Sequence, residues 1–454
     1  MEIILIGEDR VLIFDFSCTE YELRMDICNM QTFFRVVFFC FIFLLIPFES
    51  ISAATKEIPI WKRSKFEQLK YAEAKLQEAE LEIQSDPSKN QLNYLNSPLQ
   101  RLGTIRTFVG DAFGAIESFD RWTALSNRIG TIQTGDLERL QEARALNAIE
   151  TIVEEARSRQ IVILNEAHQM PLHRAFAMRL ASELRKIGYE YLACETLSEP
   201  LESGYVKQST GYYSQEPVYG NFLRDAAKDG WKFVHYDDMA FDKTLSSEQN
   251  EILRETRQAE NIVAATIKLN SKAKVFVYVG HGHGMKTHID STQTIFMAEY
   301  LQKLTQINPL SIDQTTLYEH STAYFNHPLY LPALNLQTKN SLIGQQSAFV
   351  LKSTMAKYEV FGRYQDRVDM QVIHPSYKID PQTHRYEWLS VLAHLSPSDI
   401  PDYLLPKVGR RVIYVYRLEE VTDAVPVDVV IVEKGRPIPK LMLPRGQFRF
   451  EFED

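Results

Sequence analysis

The sequence lacks the short motifs that mark several large enzyme classes. It contains no Gly-x-Ser-x-Gly elbow, no P-loop and no dinucleotide fingerprint in a strand-turn-helix context, which argues against a serine hydrolase or a nucleotide enzyme. It also lacks blocks of lysine and arginine, and its formal net charge is -9, so we expect no nucleic-acid partner. The 454 residues are 45% hydrophobic and 24% charged, which is typical of a globular protein with one large or two moderate domains.

Long apolar runs are scarce. Residues 33–48 form the one strongly apolar run, and it is shorter than the about 20 residues that a membrane-spanning helix needs. Mostly small residues follow at 50–54, as at a signal-peptidase site. We therefore predict a signal peptide over residues 30–54, with Met30 as the start, residues 1–29 as an upstream extension, and export to the periplasm or cell envelope. The alternative is membrane association through residues 33–48 if this run is not cleaved.

Cysteine is also rare. The chain has four cysteines, at positions 18, 28, 40 and 194. Cleavage after Ala54 would leave Cys194 alone, so the exported protein would contain no internal disulfide.

Residues 55–150 are predicted to form a helical region. Apolar residues at three- and four-residue spacing indicate an amphipathic helix that ends near residue 84. A helical hairpin follows at about 96–128, and its small residues resemble those of a tetratricopeptide unit, although an ordinary αα-hairpin explains them equally well. Residues 134–159 predict a further helix. We expect this region to serve packing or to bind a protein partner, not to carry chemistry.

The centre of the chain, residues 151–305, has the pattern of an α/β domain. Four short apolar runs alternate with helix-like stretches, which predicts a mainly parallel sheet with crossover helices. Each run ends in acidic or histidine residues, and the ligand site of such a sheet lies beyond the carboxyl ends of its strands. The same edge should therefore gather Glu166, His168, Glu195, Asp237, His281 and His283.

These residue types suit two kinds of chemistry. Carboxylate and imidazole groups are ligands for a divalent ion such as zinc, manganese or iron. The candidate metal ligands are Glu166, His168, Glu195, His281 and His283. The same set can act without a metal if His168 is a base that Glu195 orients and that activates water. Asp237 and His235 are secondary candidates, because a lone histidine near a strand end is usually a hydrogen-bonded surface or core group.

The rest of the chain is predicted to be loop and β-structure. Residues 196–218 show no periodicity and should form a long loop over the strand ends. Residues 306–454 are mixed and β-rich, with alternating stretches at 411–416, 427–432 and 447–452 that read as strands.

The stretch from Ile163 to His173 resembles the opening motif of a superfamily that includes ChaN-type haem-uptake proteins, erythromycin esterases and TraB/Tiki proteins. There a strand ends in Gly-Glu-x-His or a close variant, and the spacing of Pro171 and His173 is most like the ChaN branch. Residues 257–283 resemble the later helix, strand and Gly-x-Gly-His element, so the resemblance covers about residues 160–290. One departure is Asn165, which stands where the family has glycine, the residue most tolerant of a positive φ.

The resemblance implies an α/β domain whose site is formed by Glu166, His168, Glu195 and His283. In the esterase branch the matching histidine acts as a base on water. The Tiki branch holds a metal for peptide hydrolysis. In the ChaN branch histidine contacts haem, which makes His173 the candidate cofactor-binding residue.

Three functions agree with these features. The first is an exported hydrolase in which His168 and acidic partners, with a divalent metal, activate water on an ester or amide of a small-molecule or peptide substrate. The second is a haem- or iron-binding envelope protein of ChaN type without turnover. The third is a scaffold whose helical region and β-rich tail bind a partner.

Overall fold

The computed structural model describes residues 2–7, 10–15, 59–126, 128–198, 201, 205–237, 241–288, 295–339, 344 and 346–454. The predicted signal peptide and the apolar run at 33–48 lie outside these residues. The chain divides into two compact units, Met1–Pro59 and Ile60–Asp454. In the first unit, strands β1 (Glu2–Gly7) and β2 (Arg10–Asp15) pair as an antiparallel hairpin.

The second unit begins with helices and continues as alternating helices and strands. Its described helices are α1 (Lys65–Ser85), α2 (Gln91–Phe108), α3 (Ala112–Leu125), α4 (Asp136–Glu142), α5 (Ala148–Ala156), α6 (Pro171–Lys186), α7 (Pro217–Lys228), α8 (Ser247–Ala265), α9 (Met297–Thr305), α10 (Tyr330–Lys339) and α11 (Trp388–Val391). Among these helices, none combines the length and the apolar character needed to cross a membrane.

The main sheet has eight strands and is mostly parallel. Its strands are β3 (Arg144–Asn147), β4 (Ile161–Glu166), β5 (Tyr191–Cys194), β6 (Lys232–Val234), β7 (Val275–Gly280), β8 (Leu310–Leu317), β9 (Phe349–Lys352) and β10 (Met370–Ile373). Their order is β3-β9-β10-β8-β4-β7-β5-β6. The six strands from β10 to β6 pair in parallel, whereas β3 and β9 add an antiparallel edge. This architecture confirms the predicted α/β fold.

The central strands explain why the apolar runs could be recognised. All six residues of β4 and all six of β7 are buried, because helices cover both faces of the sheet, and such strands read as nearly continuous apolar runs. The strand order reverses around β4: the chain places β5 and β6 on one side and β8 on the other. A reversal of this kind opens a crevice at the carboxyl ends of the strands.

The predicted helix at 134–159 is wrong in its middle. The structure has a short helix α4, then the strand β3, then α5. Residues 144–147 pair antiparallel with β9, from Arg144 opposite Lys352 to Asn147 opposite Phe349. Pairing with a strand so far along the chain overrides the local helical pattern. The sheet therefore begins before residue 151 and continues past residue 305 to β10.

The helical region packs as a layer, not as an isolated hairpin. Ser64 and Glu67 form a capping box at the start of α1. In the α2–α3 hairpin, Gly103 lies so close to Phe119 that a β-carbon at position 103 would overlap the ring. Buried apolar side chains of α1 and α2 form one cluster with residues of the tail, including Val412 and Tyr414.

The predicted β-rich tail is confirmed. Its strands are β11 (Ile379–Asp380), β12 (Arg385–Tyr386), β13 (Ser396–Ser398), β14 (Arg410–Arg417), β15 (Asp428–Glu433), β16 (Leu441–Leu443) and β17 (Phe448–Glu453). β14 pairs antiparallel with β15 on one side and β17 on the other, while β13–β16 and β11–β12 form two-stranded sheets.

Candidate functional site

A cavity of about 540 Å³ opens at the carboxyl ends of four neighbouring strands, β4, β7, β5 and β6. Its walls carry residues that directly follow each of these strands. The lining residues are His168, Glu195, Thr196, Leu197, Ser198, Tyr212, Tyr213, His235, Asp237, Arg254, Gly280, His281 and His283. Six of the eight predicted site residues therefore share one cavity, and Glu166 lies directly behind it.

Glu166 orients His168. Oε1 of Glu166 lies 2.9 Å from Nδ1 of His168. Burial opposes ionisation of Glu166, but Arg174 and His168 outweigh it and lower the pKa of this carboxyl to about 2. The ionised carboxylate therefore accepts the Nδ1 proton of His168, which leaves the lone pair of a neutral imidazole on Nε2.

A buried arginine holds the other side of Glu166. Arg174 donates from Nε to Oε2 at 3.0 Å and from Nη2 to Oε1 at 3.2 Å, and Tyr278 donates its hydroxyl to Oε2 at 2.7 Å. Arg174 also donates to the main-chain oxygen of His168 at 2.7 Å and to Glu216 at 3.2 Å. These contacts fix the carboxylate of Glu166 and the backbone of His168.

Tyr213 lies against the face of the His168 ring, and the two rings stack almost parallel. The main-chain N–H groups of Tyr213 and Ser214 donate to Oγ1 of Thr196, at 2.8 and 3.2 Å. The loop that carries Tyr213 is therefore tied to the end of β5.

The same loop is attached to the tail. Val425 donates its N–H to the carbonyl of Val206 at 2.7 Å, and Gln208 donates its N–H to the carbonyl of Asp423 at 2.8 Å. An isolated antiparallel bridge joins Lys207 and Ala424 between them. The tail thus supports one wall of the cavity.

Glu195 does not orient His168, contrary to the prediction. Its carboxylate accepts a hydrogen bond from the main-chain N–H of Gly280 and one from Nη2 of Arg254 at 3.0 Å. Nε2 of His283 lies 3.5 Å from Oε1 of Glu195. Burial opposes the charge, but His283, His168 and Arg254 hold the pKa of Glu195 well below its usual range. Glu195 is therefore ionised, and it lies close to both Arg254 and His283 on one wall of the cavity.

His283 is a second charged group at this wall. Its Nδ1 lies 2.6 Å from Oε1 of Glu255, a residue of α8 that is 2% exposed. Burial alone would disfavour the imidazolium, but Glu255 and Glu195 raise the pKa of His283 to about 10. His283 is therefore positively charged at neutral pH.

His281 has the opposite character. Burial, reinforced by the neighbouring His168 and Arg363, lowers its pKa to about 3, so the ring is neutral. Its backbone has a φ of 30°, which is uncommon for a residue other than glycine. Nδ2 of Asn165 donates to the carbonyl of His281 at 3.1 Å and to Oδ1 of Asp313 at 2.8 Å. Asn165 itself is part of β4, so position 165 has extended backbone and does not require glycine. The Asn165 side chain instead fixes the turn at His281.

The far wall carries Asp237, Arg254 and His235. Arg254 forms a two-pronged ion pair with Asp237, from Nε at 2.9 Å and from Nη2 at 2.8 Å. Gln258 donates to the same carboxylate at 2.8 Å. His235 lines the cavity with an exposed side chain.

His173 lies elsewhere. It is fully buried, its Nδ1 accepts the main-chain N–H of Ala167 at 3.1 Å, and its ring packs 5.2 Å from that of His374. Because it lines no part of the cavity, it is not placed to bind a cofactor there. The neighbouring Arg174 points to Glu166 instead.

The sequence did not reveal three residues that shape the site: Arg174, Arg254 and Glu255. Arg174 and Arg254 are long side chains inside helices, and only the tertiary fold brings them to the strand ends. The one available signal was general: the several acidic groups predicted at one edge require cationic partners if they are buried.

The donor groups do not fit a resident metal ion. Both oxygens of Glu166 and of Glu195 already accept hydrogen bonds. Within the described ranges, no group of three or more His, Cys, Asp or Glu side chains is arranged to hold a metal. Haem fits poorly as well, since the charged side chains of Glu195, Asp237, Arg254 and His283 line the cavity, whereas a haem site needs broad apolar walls.

Comparisons with known proteins add little. No family model matches the chain, and the curated proteins gave no match. A search of solved structures found a likeness to a chain described as "The structure of the type III effector HopBA1", at 15% identity and a TM-score of 0.26, over 39% of this chain and 85% of that one. A likeness this remote carries no argument about function.

Proposed function

We propose that this protein is a hydrolase in which His168 activates a water molecule for attack on an ester or amide. The observation that carries the proposal is the Glu166–His168 pair, which directs Nε2 to a cavity at the carboxyl ends of the strands. Among the described residues, none hydrogen-bonds Nε2 of His168. This nitrogen is therefore available as a general base.

The reaction follows from the charges of the cavity. Water attacks the carbonyl carbon while Nε2 of His168 takes its proton, and ionised Glu166 stabilises the resulting imidazolium. Arg254 donates from Nε and Nη2 to Asp237 and Glu195. Its Nη1, which has no hydrogen-bond acceptor among the described residues, is the donor that we assign to the oxyanion. The carbon–oxygen or carbon–nitrogen bond then breaks, and His168 returns the proton to the leaving group.

Two broader features remain part of this proposal. The motif around Glu166 and His168 supports membership of the superfamily of ChaN-type proteins, erythromycin esterases and TraB/Tiki proteins. The apolar run at 33–48, followed by small residues, supports export to the periplasm or envelope. The substrate class we propose is a small-molecule or peptide ester or amide.

The test is hydrolysis of a panel of p-nitrophenyl esters and peptide anilides by the purified protein. His168→Ala should lower kcat about 100- to 10,000-fold, the usual contribution of a positioned acid–base group, while circular dichroism and Tm stay near those of the parent. His235→Ala is the matched control, because it removes a histidine from the same cavity that has no carboxylate partner among the described residues. We expect it to change kcat less than about tenfold.

The alternative outcome is equally clear. A parent protein that hydrolyses nothing in the panel, together with a Soret band that His168→Ala removes, would favour the haem-binding function. Equal loss of activity in His168→Ala and His235→Ala would contradict the role given to the Glu166–His168 pair.

A further inference from the structure

A second carboxylate–histidine pair lies on the other side of β4. Nδ1 of His320, which follows the end of β8, lies 2.5 Å from Oδ1 of Asp120 in α3. The other oxygen of Asp120 accepts the N–H of Ser321 at 2.8 Å and its hydroxyl at 2.6 Å. Tyr318 stacks on the His320 ring with centroids 4.3 Å apart. The arrangement of carboxylate, histidine and stacked tyrosine thus parallels that of Glu166, His168 and Tyr213.

The pair presents a hydrogen-bond acceptor to a cavity. Because the Asp120 carboxylate accepts at both oxygens, Nδ1 of His320 is the donor, and a neutral ring then has its lone pair on Nε2. No partner for Nε2 occurs among the residues that the structure describes. The ring lines a cavity of about 340 Å³ that shares none of its lining residues with the cavity around His168.

The walls of this second cavity are mainly apolar and aromatic. They include Phe113, Ile116, Leu172, Tyr377, Tyr386 and Trp388. Its two other charged side chains, Glu319 and Lys378, pair with each other at 3.1 Å. A further cavity of about 170 Å³ continues it past Phe113 and Trp388. The volume falls in the range of small-molecule sites, and a few polar groups within apolar walls are typical of them.

We propose that this cavity is a second binding site, for an uncharged aromatic or alicyclic molecule that carries a hydroxyl group. The ring of the ligand fills the space between Phe113, Leu172 and Trp388, and its hydroxyl donates to Nε2 of His320. A charged ligand is disfavoured, because the apolar walls would remove its hydration without supplying a free counter-charge. The site is independent of the hydrolase proposal, since neither its residues nor its ligand take part in that reaction.

A purely structural role is the competing explanation. Asp120 and His320 join α3 of the helical region to the end of β8, so the pair could serve only to fasten the two. His320→Asn separates these roles. The asparagine amide nitrogen lies close to the position of Nδ1 and can still donate to Asp120, whereas nothing replaces Nε2.

The experiment measures binding of p-cresol and of toluene to the full chain by isothermal titration calorimetry and by protein NMR. The parent should bind p-cresol saturably in the millimolar range and about five- to tenfold more tightly than toluene, the contribution of one net hydrogen bond. His320→Asn should keep its Tm and bind the two probes equally.

Ala112→Trp, which places an indole in the cavity from the start of α3, should abolish binding of both. Ala124→Trp, at an exposed position of the same helix, is the matched control and should bind like the parent.

Three results would overturn the proposal. One is the absence of saturable p-cresol binding at millimolar concentration. Another is binding that survives Ala112→Trp, which would place the probe elsewhere, including the cavity around His168. The third is an unchanged preference for p-cresol in folded His320→Asn, which would leave His320 a structural residue.

Discussion

The ring of Tyr213 lies flat on the ring of His168, with centroids 3.9 Å apart and planes 12° from parallel. Glu166 sets the position of one ring nitrogen, but a hydrogen bond at Nδ1 alone leaves the imidazole free to tilt about that contact. The tyrosine face removes this freedom, so that Nε2 has one orientation in the cavity. Precise placement of a base matters because misplacement by about 1 Å can cost 100-fold in rate.

Tyr213 should therefore act through its ring, not through its hydroxyl. We expect Tyr213→Phe to keep kcat within about threefold of the parent, and Tyr213→Ala to lower it about 10- to 100-fold because His168 is no longer held. Steady-state kinetics on the best ester of the panel measures both. A large loss in Tyr213→Phe would instead assign chemistry to the hydroxyl.

Gly280 leaves the space that His168 occupies. A β-carbon at position 280 would lie 2.5 Å from Nε2 of His168 and 2.8 Å from Oε2 of Glu195. We expect Gly280→Ala to displace both side chains and to lower kcat/KM at least about 100-fold. Gly284→Ala is the matched control, since its β-carbon would meet nothing nearer than Oγ of Ser311 at 3.4 Å. Parent-like activity in Gly280→Ala would mean that His168 works from another position.

Removal of the charge on Glu166 should destabilise the fold as well as the site. The side chains of Glu166 and Arg174 are 3% and 0% exposed. Glu166→Gln therefore leaves a buried guanidinium whose one remaining charged partner among the described residues is Glu216. We expect a loss of about 3 kcal/mol in the free energy of unfolding, measured by urea denaturation. The control is Glu183→Gln, which removes the partner of exposed Lys186 on α6, the helix that also carries Arg174. We expect this variant to change the free energy of unfolding by less than about 0.5 kcal/mol. Similar small losses in both variants would show that the charge of Arg174 is stabilised by other groups when Glu166 is neutral.

The charge on His283 should make the free energy of unfolding fall as the pH rises into the alkaline range. The pKa of His283 is raised from the ordinary 6.5 to about 10 in the folded protein. The contribution of its charge to the free energy of unfolding is therefore complete below pH 6.5 and is lost as the pH rises towards 10. A single such proton gives a slope of at most about 1.4 kcal/mol per pH unit. In His283→Gln this slope should be absent, and the stability difference between parent and variant should shrink steadily over the interval. Parallel stability curves for parent and variant would show that His283 is neutral.

The fold and the edge that carries the site were predictable because both depend on local patterns. An apolar run that ends in Glu-x-His or Gly-His is visible without knowledge of its neighbours, and the rule for parallel sheets brings the ends together. The strands of the tail were likewise visible as alternation, and β14 and β15 lie within one or two residues of the predicted stretches.

The errors concern features that depend on distant contacts. The extended conformation of residues 144–147 exists because β9 pairs with them. The choice between His173 and Arg174 depends on the rotation of α6, since neighbouring helix residues differ by about 100°. The same holds for the carboxylate partner of His168. Glu166 and Glu195 are equally plausible in the sequence, and only the pairing of β4, β7 and β5 decides that the nearer one is Glu166.

The attachment of the cavity loop to the tail affects how the protein matures during synthesis. Val206 and Lys207 are translated long before Ala424 and Val425, with which they pair. A nascent chain can form the central strands early, because they lie closer together along the sequence. The loop that carries Tyr213 can reach its final contacts only after the tail has left the ribosome. If the protein is the proposed hydrolase, a chain stalled before residue 424 would hold Glu166 and His168 without this support, and we expect it to hydrolyse no ester until synthesis reaches the tail.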